Sequence, residues 1–188
     1  ALSIGHIFVG SCNDDIASSI LQCLMERSVE ELKAEPLSRF LGLSLGLLYQ
    51  GKQDQVETIL ETLQVLPKVL AKEISTMVVM CAYAGSGDVC KIQEMMHTCG
   101  ESVDEDNAEE SEAKCLATIG ISLIASGESI GVAMAKRSFS HLMHYGDASI
   151  KRAVPLALGF LHASEPEVSV IDTLSKYSHD ADGEIAAN

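Results

Sequence analysis

The sequence has 188 residues, and its 13 lysines and arginines against 27 aspartates and glutamates give a formal charge of −14. Hydrophobic residues make up 47% and charged residues 21%, the proportions of an ordinary globular domain. The acidity argues against nucleic acid and anionic membranes as partners, because both are bound through lysine and arginine. A protein partner is therefore expected to be basic.

The six cysteines form no CxxC pair and predict reduced thiols in an intracellular protein. The longest run without a charged residue, Ile74–Gly87, has 14 residues. A membrane span needs roughly 18. No basic segment precedes an apolar run at the start, so no signal peptide is expected. An apolar pattern is already under way at Ala1, so we expect both ends to continue into a longer chain.

Five charge-free runs of small and aliphatic residues punctuate the chain, and from the second onward their starts lie 34, 41 and 38 residues apart. Each run ends in a glycine or serine turn, and a more polar segment with helical spacing of apolar residues follows. This pattern predicts an all-α solenoid of about five helix–turn–helix units forming an arc of a toroid. The runs are Ala1–Asn13, Phe40–Gly51, Ile74–Gly87, Cys115–Gly127 and Ala153–Ser164.

The first helix of each unit is rich in glycine, alanine and serine, as in Leu41–Leu48, and is expected to be buried with neighbouring backbones in close approach. The second helix is expected to be amphipathic and to face solvent. Its predicted buried residues are Ile16, Ile20 and Cys23; Val56, Ile59 and Leu63; Val89, Ile92 and Met96; Ile130 and Met134; and Val168, Ile171 and Leu174.

One segment, Glu101–Glu112, interrupts the repeat with seven acidic and no basic residues, half of the net charge. Because it holds only two apolar residues, it is predicted to be a disordered loop between repeats. Residues 1–188 are otherwise predicted to form a single solenoid domain.

Candidate catalytic or metal-binding residues are few. The GSGD sequence at Gly85–Asp88 lacks the Gly-Lys-Ser/Thr of a phosphate loop and favours a turn between helices. His141 and His144 lie three apart, but no acidic or cysteine ligand is near them in sequence. The acid in His179–Asp182 favours a helix N-cap. We expect no enzyme, cofactor or metal, with an enzyme using the His141/His144 region as the alternative.

Two acidic rows are better candidates for a binding surface. Three polar residues on the second helix of the first unit fall within about 40° of one another on a helical wheel. Stacked repeats would set this row beside the acidic row of the next unit. The rows are either solvated helix faces or a docking surface for a basic partner. They comprise Asp15, Gln22 and Glu26, and then Asp54, Glu57 and Glu61.

Most of the chain resembles the proteasome/cyclosome repeat family. The resemblance implies a non-enzymatic scaffold of the proteasome regulatory particle, in the cytoplasm and nucleus. It implies contact with the ATPase ring and docking of ubiquitin and of the ubiquitin-like domains of shuttle factors. The matching stretches are Gly5–Ile16, Cys81–Val89, Gly120–Gly131, His141–Asp147, Lys151–Leu158 and Asp172–Asp182.

The family's acidic contact positions correspond to Asp15 and Glu26. Gln22 stands at a third such position, where it keeps a hydrogen-bonding group but loses a charge, so weaker binding is expected. The apolar part of the contact is expected from Leu21 or Met25. The alternative is a purely structural scaffold segment with no receptor site.

Overall fold

A computed structural model describes residues 1–27, 31–32, 39–101 and 108–188. Within these ranges the regular structure is helical and contains no strand. The helices are α1 (Leu2–Ile7), α2 (Asp14–Glu26), α3 (Arg39–Leu48), a 3₁₀ helix (Gln53–Val56), α4 (Glu57–Leu63), α5 (Lys68–Ala82), α6 (Val89–Gly100), α7 (Ala108–Ala125), α8 (Ser129–Tyr145), α9 (Ala148–Leu161), α10 (Val168–Tyr177) and α11 (Gly183–Ala187).

The described residues group into two compact units, Ala1–Tyr83 and Ala84–Asn188. In the first unit α3 packs against α1 and α5, and in the second α7 packs against α6 and α9. All of these packed helices except α6 come from the charge-free runs, and their apolar side chains form the core of each unit, as Leu45 and Ile121 do with no exposed surface. This alternation of buried and peripheral helices confirms the all-α solenoid. That residues 1–188 form one domain stays a prediction.

Glycine sets the spacing between neighbouring buried helices. A Cβ on Gly5 would lie 2.9 Å from the Cα of Ser44, and one on Gly46 would lie 2.9 Å from the carbonyl oxygen of Met77. Both distances are shorter than real Cβ contacts, so the helix backbones are closer than any larger residue permits. The expected close approach of the glycine-rich helices is confirmed.

Backbone hydrogen bonds join the turn of one repeat to the buried helix of the next. In the first unit Gly10 N–H donates to Leu47 O at 3.0 Å and Gly51 N–H to Cys81 O at 3.3 Å. In the second unit Gly85 N–H donates to Leu123 O at 2.8 Å. These bonds satisfy carbonyls at helix C-termini, which have no partner within their own helix. Gly85–Asp88 is therefore a turn, as its sequence favours, and the Asp88 carboxylate caps α6.

The predicted buried face of the peripheral helices is right for α4 and wrong for α6, α8 and α10. Val56, Ile59 and Leu63 are buried. Val89, Ile130 and Val168, by contrast, are 49%, 72% and 73% exposed, because these helices bury a different apolar stripe from the predicted one. The buried positions of these helices are Met95 and Cys99 in α6, Ala135, Phe139 and Leu142 in α8, and Val170 in α10.

The predicted loop Glu101–Glu112 falls partly outside the described residues, at positions 102–107. For its last five residues the prediction is wrong, because α7 begins at Ala108. Alanine and glutamate favour helix, and here they extend the buried helix that continues from Ala113. The acidic composition of the segment therefore did not indicate that the helix begins within it.

Candidate functional site

The candidate surface is built on α2, whose start is fixed by a side-chain cap. The Asn13 side chain accepts hydrogen bonds from the backbone N–H groups of Asp15 at 3.0 Å and Ile16 at 3.2 Å. Asp14 and Asp15 occupy the first turn, where negative charge is favoured by the helix dipole. The local sequence therefore both starts the helix and places acid at its N-terminus.

The two faces of α2 differ sharply. Ala17, Ile20 and Leu24 are buried and hold the helix on α3. The predicted row of Asp15, Gln22 and Glu26 is exposed and lies about 180° around the helix from that face. Burial of the apolar face thus orients the row toward solvent.

Within the row, the Gln22 Nε2 amide donates to Glu26 Oε1 at 2.7 Å. Residues four apart on a helix are neighbours, so a carboxylate at position 22 would instead repel Glu26. Gln22 therefore holds the Glu26 carboxylate in one orientation while it removes one charge from the row. The spacing of four residues on a helix is the sequence signal that predicts such a bond.

Of the two apolar residues expected to border the row, only one is exposed. Met25 is 45% exposed and stands beside Glu26, whereas Leu21 is only 8% exposed. The expectation for Leu21 is wrong, because this residue packs on the buried face. Cys23 is also misassigned, because it is exposed rather than buried. Met25 is thus the apolar side chain that the row presents.

The second row lies on the 3₁₀ helix and α4, which follow α3 in the same unit. Asp54 belongs to the 3₁₀ helix rather than to α4, Glu57 is the first residue of α4, and Glu61 lies one turn later. All three side chains are exposed. Across the described part of the unit, no hydrogen bond or ion pair joins the two rows. That they form one continuous surface stays a prediction.

The remaining candidates from the sequence occupy structural positions. His141 and His144 are exposed, and their rings lie 4.8 Å and 6.3 Å from that of Tyr145. The Asp182 carboxylate caps α11, accepting from Glu184 N–H at 3.0 Å. Among the described residues, no three histidine, cysteine, aspartate or glutamate side chains are placed to hold a metal ion.

The buried thiols are held in their protonated form. Burial raises the pKa of Cys81 to about 11, and it also raises the pKa of Cys99 and Cys115. A thiol becomes nucleophilic as the thiolate, so these three side chains behave as small core residues. None of the helices in the described ranges is long and apolar enough to cross a bilayer.

The stacked helix pairs, joined by glycine turns, define an α-solenoid repeat protein. No protein-family model matches the chain. The whole chain is 48% identical to the protein of Schizosaccharomyces pombe named 26S proteasome regulatory subunit rpn1. Over 99% of its length the chain is 44% identical to 26S proteasome non-ATPase regulatory subunit 2 homolog A of Arabidopsis thaliana. Over 98% of its length it is 43% identical to 26S proteasome non-ATPase regulatory subunit 2 of Dictyostelium discoideum.

The chain spans about a fifth of the length of these relatives, 21% of the first and 20% of the other two. Its match is nevertheless continuous along its own length. The chain belongs to the family of proteasome non-ATPase regulatory subunit 2.

Proposed function

We propose that this chain is a non-catalytic scaffold and receptor segment of the proteasome regulatory particle, and that it docks ubiquitin and the ubiquitin-like domains of shuttle factors through α2. The regulatory-subunit names of its relatives support the scaffold role. The observation that most supports the receptor role is the exposed row of Asp15, Gln22 and Glu26, held opposite the buried face of its helix.

The chemistry of the row fits such a partner. Ubiquitin-type domains present an aliphatic patch bordered by lysine, arginine and histidine. Asp15 and Glu26 supply complementary charge, and Met25 supplies exposed apolar surface beside them. The Gln22 bond limits the freedom of the Glu26 carboxylate and so lowers the entropy lost when it pairs with a cation.

Two exposed carboxylates and one exposed methionine form a small contact, so binding of a single domain is expected to be weak and to fall with salt. Chains of ubiquitin, or shuttle factors with several domains, would gain affinity through linkage. The row of Asp54, Glu57 and Glu61 is proposed as the neighbouring part of the same surface.

The test is a titration of ¹⁵N-labelled ubiquitin with the unlabelled chain, followed by amide chemical shifts. The double variant Asp15→Arg/Glu26→Arg is expected to abolish the shifts, because it reverses the charge of the row without touching the buried face. The matched control is Glu165→Arg/Asp172→Arg, which makes the same charge change at exposed positions of the second unit. Unchanged titration with the α2 variant would support the alternative of a structural segment without this receptor site.

A further inference from the structure

At three repeat junctions, a glycine in a left-handed conformation donates the backbone hydrogen bond to the buried helix of the next repeat, here called the forward bond. Gly10, Gly51 and Gly85 have φ values of 66°, 71° and 71°. Their N–H groups reach carbonyls in the last turn of the next buried helix at 3.0, 3.3 and 2.8 Å. Glycine adopts such φ values without the steric cost that other residues meet. The same backbone conformation therefore accompanies the forward bond at all three junctions.

The fourth junction, between the turn that follows α7 and the end of α9, departs from this pattern. Serine stands at position 126, the place that Gly85 occupies in the preceding turn, and no residue of the 126–128 turn has a positive φ. Ser126 N–H and Glu128 N–H bond within their own repeat, to the carbonyls of Ser122 and Ala125 at 3.1 and 3.3 Å. Among the residues that the structure describes, no backbone hydrogen bond joins this turn to α9.

A groove of about 960 Å³ lies at the same junction. One wall consists of residues 126–129 and the first part of α8, and the other consists of residues 160–162 and 164–167. Side chains in a protein interior are normally packed without gaps of this size. The turn and the end of α9 are therefore separated by the groove, and neither a forward bond nor close packing holds them together there.

The other end of α9 is anchored to α7. The Cys115 thiol donates to the carbonyl oxygen of Ser149 at 3.1 Å, and Lys114, 3% exposed, pairs with Asp147. Ser149 lies in the first turn of α9 and Asp147 is its N-cap residue. Both contacts thus fix the start of α9, whereas the groove lies at its end.

Pro155 lies inside α9, between the anchored start and the groove. Proline has no N–H to donate to the carbonyl four residues earlier, and sharp bends in helices commonly occur at such positions. The residues of α9 that line the groove, Phe160 and Leu161, both follow the proline. The last part of α9 can therefore bend at Pro155 while its first turn stays in place.

A polar contact on the outside of the molecule, here called the Lys136 clasp, crosses the junction. The Lys136 ammonium of α8 donates to both carboxylate oxygens of Glu167 and to Ser169 Oγ, each at 2.7 Å. The side chains of Lys136 and Glu167 are 35% and 50% exposed. Ion pairs this accessible to solvent contribute little to stability. The clasp therefore limits movement between the two walls without preventing it.

We propose that the fourth junction is a hinge, at which α10 and the part of α9 after Pro155 move relative to α7 and α8. The structure shows the open position, with the groove between the two walls. In the closed position the 126–128 turn approaches the last turn of α9 and the groove narrows. The missing forward bond permits the movement and the Lys136 clasp limits it. The junctions with left-handed glycines are locked by their forward bonds.

The test is ¹⁵N relaxation dispersion of the labelled chain, which detects microsecond-to-millisecond motion at each backbone amide. An exchange contribution is expected at residues 126–129 and 160–169, and not at residues 8–12 and 84–88. Lys136→Ala is expected to raise the population of the minor state about two- to threefold, because an exposed ion pair is lost. The matched control is Arg137→Ala, which removes the neighbouring cation. Arg137 makes no ion pair in the described part of the chain, so this variant should leave the population unchanged.

A second variant, Ser126→Gly, tests the role of the turn. Glycine permits the left-handed φ of the other turns, so the resonances of residues 160–162 should move toward the minor-state shifts obtained from the dispersion. The proposal is overturned if residues 126–129 and 160–169 show no exchange, or if residues 84–88 show as much. It is also overturned if Lys136→Ala and Arg137→Ala behave alike, or if Ser126→Gly leaves residues 160–162 unmoved. Each of these results is independent of the ubiquitin titration.

Discussion

Replacing Gly127 with alanine tests the packing of neighbouring turns. A Cβ at this position would overlap the carbonyl oxygen of Gly85 and would lie 2.6 Å from its carbonyl carbon. Both contacts are to backbone, so no side chain can rotate away. Ordinary van der Waals contact begins at 3.4 Å, and the Gly85 carbonyl must therefore move by at least about 0.8 Å.

That displacement threatens the two hydrogen bonds that Gly85 N–H and Gly87 N–H donate to Leu123 and Ile124. Each bond contributes about 1 kcal/mol, and the steric conflict costs about 1–3 kcal/mol. Gly127→Ala is therefore expected to lower the free energy of unfolding by about 3–5 kcal/mol.

The assay is urea unfolding monitored by circular dichroism, with Gly159→Ala as the matched control. Gly159 lies inside α9, and a Cβ there would meet nothing within 4 Å. The same substitution should therefore stabilise by about 0.5–1 kcal/mol, because alanine favours helix over glycine. Equal effects of the two substitutions, or a loss below about 1 kcal/mol for Gly127→Ala, would refute the proposed backbone contact.

Two further predictions concern ion pairs of the second unit. The Asp182 carboxylate accepts a hydrogen bond from Glu184 N–H and pairs with the Arg152 guanidinium, and both contacts hold its pKa below the usual 3.8. The ionised carboxylate therefore stabilises α11 above pH 3.8, and this stabilisation is lost as the pH falls through the lowered pKa. The protection factor of the Glu184 amide against hydrogen exchange should fall on acidification, and Asp182→Asn should remove this pH dependence; persistence in the variant would exclude Asp182 as its source. Lys114, 3% exposed, pairs with Asp147, so Asp147→Ala should cost about 2 kcal/mol by leaving a buried cation. Adding Lys114→Met to Asp147→Ala should recover much of the lost free energy of unfolding, measured by urea unfolding. If the double variant shows no recovery, Asp147 does not stabilise the protein by pairing with Lys114.

The repeat could be predicted from sequence because it rests on contrasts that a single chain displays. Charge-free runs ending in glycine, such as Phe40–Gly51, alternate with polar amphipathic segments, and the structure contains the corresponding helices. Glycine in Leu41–Leu48 indicated close backbone approach, which the structure shows at Gly46 and also at Gly5. The N-caps at Asp88 and Asp182 follow from local sequence as well.

The buried faces of the peripheral helices were harder to predict because these helices have more than one apolar stripe. In α8, Ile130 and Met134 share one stripe, and Ala135 and Phe139 share another. Which stripe is covered depends on the tilt of the helix against its neighbour, and the periodicity does not contain that tilt. The second stripe is the buried one.

The polar row on α2 was predictable as an exposed face, because a helix that buries Ala17, Ile20 and Leu24 must present the opposite side. The backbone bonding of the Ser126 to Glu128 turn was not predictable, since these N–H groups bond locally to Ser122 and Ala125, whereas Gly85 and Gly87 bond across to Leu123 and Ile124. The sequence differs there by a serine in place of a glycine, and a single chain does not show that this difference changes the bonding of the turn.

The central claim is that α2 is the docking surface, and the most direct measurement places that contact on this chain. The ¹⁵N-labelled protein is titrated with unlabelled ubiquitin at low salt, and its amide shifts are assigned by residue. The account predicts that the perturbed amides cluster on the exposed face of Asp14–Glu26, with smaller effects at Asp54 to Glu61. Shifts confined to the second unit, or no shifts at millimolar ubiquitin, would contradict it.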